Sequence, residues 1–179
     1  MILSLLAHGN RVLRPQDAAG LYAEPSKEFA RLADAGVLLR LSHGYYAVVP
    51  EERRSAAWRP TIEGVALGVA IADYSTDAVA LMGVSAARVL GWVPRAMAGA
   101  VVGVPKQRPA RQTPVGPITF VMRDVGRLEV QVVDTDLVRG FATTAEQTAL
   151  DIAHRPGRGG VGPAMAVETL TVLAEHLDW

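Results

Sequence analysis

The stretch PSKEFARLADAGVLLRLSHGYYAVVP, residues 25–50, decides how the first third of this chain is read. Pro25 suits a first helical turn, and Gly36 suits the position just past a helix end. Between them Phe29, Leu32 and Ala33 stand at i, i+3 and i+4 and so share one face. Lys27 and Arg31 form a second i, i+4 stripe on another face. VLLRL and YYAVV, joined by Ser42-His43-Gly44, read as two strands of a hairpin whose turn uses Gly44 for a positive φ. Tyr45 and Tyr46 are neighbours on a strand, which predicts one facing inward and one outward.

Working back from this stretch, PQDAAGLY begins with Pro15 and predicts a helix, VL at Val12 and Leu13 a short extended link, and ILSLLAH a first helix stopped at Gly9. Helix, helix, helix, two-stranded wing is the order of a winged helix-turn-helix. In that layout the helix of residues 25–36 enters the major groove, with Ser26, Lys27 and Arg31 on its exposed face. Lys27 and Arg31 could read guanine or clamp phosphate. Arg40, His43 and Tyr45 lie on or beside the wing, where phosphate or minor-groove contact is common. The competing reading is a winged helix used for protein contact, with both bases merely solvated.

Working forward, PEERRSAAWRP is charged, bracketed by Pro50 and Pro60, and without a period of its own. It predicts three parts: a winged-helix domain over residues 1–50, a linker over 51–60, and a small mixed α/β domain over 61–179, α+β overall. Thr61 is a candidate N-cap for IEGVALGVAIADY; Ser75 or Thr76 and Ser85 are candidates for two short helices. AGAVVGVP reads as a buried strand, KQRPARQTPVGP as a polar loop, and ITFVMRD and LEVQVVD as strands separated by a turn at Gly126. TTAEQTALDIAHRP, with Thr143 or Thr144 as cap, and AMAVETLTVLAEHL are helices.

Composition narrows the classes. The chain has 179 residues, half of them hydrophobic, with no cysteine and a formal net charge of zero. Disulfides and thiolate metal sites are excluded. No apolar run has the length of a membrane span, and MILSLLAHG lacks the features of a signal peptide, so a cytoplasmic protein is expected. Zero net charge weighs against a nucleic-acid binder, but the distribution is uneven. From Arg88 to Arg127 seven bases, among them Lys106, Arg108, Arg111 and Arg123, face one acid, Asp124. From Glu129 to Asp151 five acids face only Arg139. The prolines around Lys106, Arg108 and Arg111 predict a stiff loop that projects all three into solvent, where they extend a DNA footprint beyond the winged helix or dock an acidic partner surface; the competing reading is a solubilising loop.

Signs of catalysis are thin. Asp134-Thr135-Asp136 has the D-x-D form of a nucleotidyltransferase metal site, but no Gly-Ser nucleotide grip precedes it. LEVQ places Gln131 where a nuclease E-x-K needs lysine. His8, His43, His154 and His176 are scattered, and GRGGVG lacks the Lys-Ser/Thr of a phosphate loop. No metal and no cofactor is expected, and the protein reads as a non-enzyme. The rival from another class is a small metal-dependent nuclease or nucleotidyltransferase using Glu129, Asp134 and Asp136, which requires those acids to converge in one cleft with a base. A protein-binding adaptor is the third option.

RPQDAAGLYAEPSKEFARLADAGVLLRLSHGYYAVVP, followed by VSAARVLGWVP, a strand ending in a basic loop, and FATTAEQTALDIAHRP, resembles the AbiEi-type antitoxins of type IV toxin–antitoxin pairs, common in actinobacteria. The likeness runs from about residue 11 to 156. It implies an N-terminal winged helix that binds operator DNA and represses its own operon, and a C-terminal domain that supports antitoxicity. The implied partner is a nucleotidyltransferase-like toxin encoded alongside. One winged helix covers a single half-site, so a homodimer on repeated DNA sites is expected.

Overall fold

The computed structural model of the protein describes residues 9–54, 57–93, 98–158 and 160–177. The predicted first helix, ILSLLAH, and Arg95 of the basic run lie outside them. Within the described residues five α-helices and two sheets form an α+β architecture.

The first sheet is small. Strands β1 (Val12–Leu13), β2 (Leu38–Ser42) and β3 (Tyr45–Val48) pair antiparallel in the order β1-β3-β2. Gly44 turns the hairpin at φ 78°, as its position predicted. Between β1 and β2 runs helix α1 (Pro25–Asp34). It ends in a Schellman cap: the Gly36 amide donates to the Ala33 carbonyl at 3.0 Å and the Val37 amide to Leu32 at 2.9 Å, with Gly36 at φ 71°. Phe29 and Leu32 turn inward onto Leu13, Leu38 and Tyr46. Phe29 meets the Tyr46 ring edge-on, with centroids 5.3 Å apart.

Two readings of this region are corrected. PQDAAGLY forms only a 3-10 turn, Pro15–Ala18, in place of an α-helix. Asp17 closes it by accepting from the Arg14 amide at 2.9 Å, and Gly20 follows too soon for a helix to propagate. Tyr45 and Tyr46 do face opposite sides of β3, but neither faces water. Tyr46 joins the α1 core, and Tyr45 enters a second, larger one.

That larger core is built around helix α2 (Ile62–Asp73), which is buried on every side from Ile62 to Ala70. Thr61 caps it, as expected, by accepting from the Gly64 amide at 3.1 Å. One flank of α2 takes Val12, Leu41, Tyr45 and Ala47 from the first sheet; the other takes Leu81, Val102, Ile118 and Phe120 from the second. Residues 51–60 thus separate two sheets, while one core crosses from sheet to sheet. A side chain at Gly68 would overlap Val12, so glycine is what lets β1 lie against the helix. Asn10 fastens the approach by donating to the Gly68 carbonyl at 3.0 Å.

The second sheet has six strands in the order β6-β7-β5-β4-β9-β8: β4 (Ala80–Leu81), β5 (Ala100–Val104), β6 (Arg111–Thr113), β7 (Gly116–Met122), β8 (Val130–Asp134) and β9 (Arg139–Thr143). β5 pairs parallel with β7 and β4 parallel with β9; the other neighbours are antiparallel. Ala100, Val102 and Val104 face α2, while Val101 points the other way onto Met82 and Val121. The far side carries α3 (Val84–Val89), α4 (Ala145–His154) and α5 (Pro163–Ala174), held together by Ile152, Val161, Ala166 and Leu173. Thr144 caps α4 by accepting from the Gln147 amide at 3.4 Å. Ser85 is no cap; it is buried and accepts from the Val101 amide at 2.9 Å. Part of the expected polar loop, Arg111–Thr113, is strand β6.

Candidate nucleic-acid interface

Burying Phe29 and Leu32 fixes the rotation of α1. Ser26, Lys27 and Arg31 are therefore exposed on the opposite face. Arg40 on β2 and His43 in the hairpin turn are exposed as well. These five residues belong to one small unit, a helix followed directly by a hairpin. Each of the two helical bases carries an acid of its own helix region. Lys27 Nζ lies 2.6 Å from Glu24, and Arg31 donates to Glu28 from Nη2 at 2.6 Å and from Nε at 2.9 Å. Hydrogen bonding from Arg31 pulls the Glu28 carboxyl below its ordinary range. Sequence reasoning misses Glu24 and Glu28, although their i, i+3 spacing to the bases is in plain view.

The remaining predicted residues go elsewhere. Tyr45 is buried against α2 and donates its hydroxyl to Asp73 at 2.6 Å. Its phenol is pushed up by burial and by that hydrogen bond. Arg108 does not project into solvent: it is ion-paired to Asp73 and lies over the rings of Phe120 and Tyr74. Burial works to lower the Arg108 guanidinium, and hydrogen bonding with Tyr45 and Asp73 outweighs it, so the group is raised. Arg111 stacks on the Tyr45 ring, 4.4 Å from its centroid, and donates to Ser42 Oγ at 3.2 Å. Arg14 completes the group, with Nη1 3.1 Å from Asp73 and Nη2 2.7 Å from Asp17. These cations and aromatics converge because α2 delivers Asp73 to the seam between the two sheets, where a carboxylate gathers donors from both. Of the basic loop, Lys106 stays exposed.

The acids of the rival reading part company. Glu129 precedes β8 and Asp134 ends it, about 16 Å apart along a five-residue extended strand. Asp136 accepts from the Thr61 amide at 2.8 Å and the Thr61 hydroxyl at 2.7 Å, which anchors the start of α2. Asp134 and Asp136 do share a hollow of about 220 Å³ with Glu63 and Arg88. There Glu63 is paired with Arg88 at 2.5 Å. Burial raises the Glu63 carboxyl, against the pull of its own backbone amide and of Arg88. Glu63 stands at the head of an apolar run whose only other acid is Asp73 at its far end, and that is the signal by which the sequence could have marked it. Among the described residues no group of three or more His, Asp or Glu is placed to hold a metal ion, and no helix is long and apolar enough to cross a membrane.

No family model matches the chain, and no curated protein matches it. Among solved structures it is similar to the RV2827C protein from Mycobacterium tuberculosis, at 22% identity and a TM-score of 0.62. The match covers 99% of this chain and 67% of that one. At this identity the likeness speaks for the fold.

Proposed function

We propose that the chain is a DNA-binding antitoxin and autorepressor: it binds operator DNA through α1 and the β2–β3 hairpin, as a homodimer on repeated sites, and counteracts a nucleotidyltransferase-like toxin. The observation that carries the reading is the exposed face of α1, where Ser26, Lys27 and Arg31 stand clear of the core; Arg40 and His43 are exposed in the hairpin that follows the helix. A helix followed by a hairpin whose second strand returns to an earlier strand supports the winged-helix reading, in which such a face meets the major groove. The sequence resemblance to AbiEi-type antitoxins supports the same reading and supplies its partner. Tyr45, Arg108 and Arg111 leave the set of DNA contacts; Lys106 stays in it.

The test is a gel shift of the purified protein with the DNA upstream of its own operon over a salt series, together with rescue from the co-encoded toxin in cells. The Lys27→Ala, Arg31→Ala double variant is expected to weaken binding by about tenfold or more. Removing a phosphate-bound cation should also lower the slope of log affinity against log salt by roughly 0.9. Binding unaltered in the folded double variant would remove α1 from the interface.

A further inference from the structure

The two bases of α1 differ in how they are held, and the difference bears on which of them reads sequence, given the DNA reading above, on which this inference rests. Lys27 meets Glu24 through a single contact, with both side chains well exposed. A lone ammonium–carboxylate contact has no fixed orientation. Arg31 is gripped along one edge: its Nε and Nη2 both donate to Glu28, one to each carboxylate oxygen. A bidentate pair fixes the plane of the guanidinium as well as its position. The edge left over, formed by Nη1 and the second Nη2 hydrogen, is the end of the side chain. Arg31 is two-thirds exposed, whereas Glu28 is only one-quarter exposed, so the carboxylate is the more covered partner and the guanidinium the more open one. The left-over edge carries the two parallel donors that match O6 and N7 of guanine. The helix face as a whole holds as many acids as bases at these two pairs, which suits base edges better than phosphates.

We propose that Glu28 is a positioning residue that aims Arg31 at one guanine, making this pair the specificity determinant of the interface. Glu28 itself touches no base.

The experiment selects bound sequences from a randomised duplex library with the full-length protein and with Glu28→Ala, Glu28→Gln, Arg31→Ala and Glu28→Ala/Arg31→Ala, each first shown folded by a thermal melt. The parent protein is expected to retain one position as guanine with at least about tenfold preference. Glu28→Ala should lose that preference while binding non-specific duplex as well as the parent or more tightly, because a carboxylate near the phosphates has gone. Glu28→Gln, which keeps one acceptor, should fall between. Arg31→Ala should lose the same preference, and adding Glu28→Ala to it should change nothing further. A guanine preference that survives in Glu28→Ala overturns the proposal. So does a further loss of preference in the double variant, which would mean that Glu28 reads a base directly. A parent protein with no salt-dependent affinity for any duplex overturns the DNA reading itself, a result distinct from both.

Discussion

Two groups of basic side chains stand in this molecule under opposite regimes. On α1, Arg31 finds its acid three residues away, and both side chains remain at the surface. At the seam between the sheets, Arg108 finds Asp73 thirty-five residues away, and Arg111 reaches Ser42 across sixty-nine. There the guanidinium carbons also lie over the rings of Tyr45, Tyr74 and Phe120. What makes a base available is therefore where its partner comes from. A local partner holds a cation without withdrawing it from solvent, and a phosphate or base edge can replace or supplement that partner. A distant partner recruits the cation into the fold. Loop composition does not distinguish the two, since the proline-rich basic loop looks the more exposed of the pair on paper.

The comparison breaks most sharply at Asp73. Asp73→Ala leaves Arg108 without its carboxylate in a mostly buried setting and Arg14 with Asp17 alone, and stability measured by urea unfolding should fall by about 3 kcal/mol. A loss no larger than that of a surface alanine variant would show that the seam is ornamental. Gly68→Ala probes the same seam from its apolar side. The added methyl overlaps Val12 in the strand that lies on α2, and overpacking of this kind costs about 1–3 kcal/mol. An unchanged melt would mean that β1 and α2 can part without cost. A third measurement crosses the two groups. Arg108→Ala and Arg111→Ala should lower the melting temperature and leave operator affinity as it was, whereas Lys27→Ala and Arg31→Ala should weaken operator binding at an unchanged melting temperature. The same ranking of all four variants in both assays would erase the distinction.

The smallest effect is a pH dependence at Glu63. Its carboxyl is raised in the folded state, so between the ordinary glutamate value, about 4.3, and the raised one, the folded protein binds more protons than the unfolded chain. The stability it contributes is full below the ordinary value and is lost as pH rises through the folded one. Glu63→Gln should remove this slope: the difference in melting temperature between variant and parent should grow toward higher pH. A difference flat across that window would show that Arg88 compensates for burial completely.

Legibility followed the range of the interactions. Gly44 in the hairpin turn, Gly36 in the Schellman cap, and the Thr61 and Thr144 caps were all readable, because each is settled within a few residues of chain. The exposed face of α1 was readable for the same reason, since Phe29 and Leu32 orient it. Tyr45 and Arg108 were not, because their surroundings are assembled by α2, whose last residue supplies the carboxylate both of them seek. Likewise no local pattern announces that the two-residue β4 is the strand that joins β5 to β9 in the middle of a sheet.

That last feature governs how the chain reaches this structure. β7 and β8 follow one another in sequence yet belong to opposite halves of the second sheet, and only the parallel contact of Leu81 with Ala142 closes it. Such a closure carries the loop entropy of all the intervening chain, so it comes late, whereas the β2–β3 hairpin can form as soon as it is made. During synthesis the first sheet and α1 therefore precede the completion of the second. A chain still lacking Arg139–Thr143 exposes the edge of β4 and the underside of α2. The vulnerable species is the nascent protein that has α1 and the first sheet but not its finished second sheet. Pulse-chase proteolysis should find its cleavage sites in the second half of the chain.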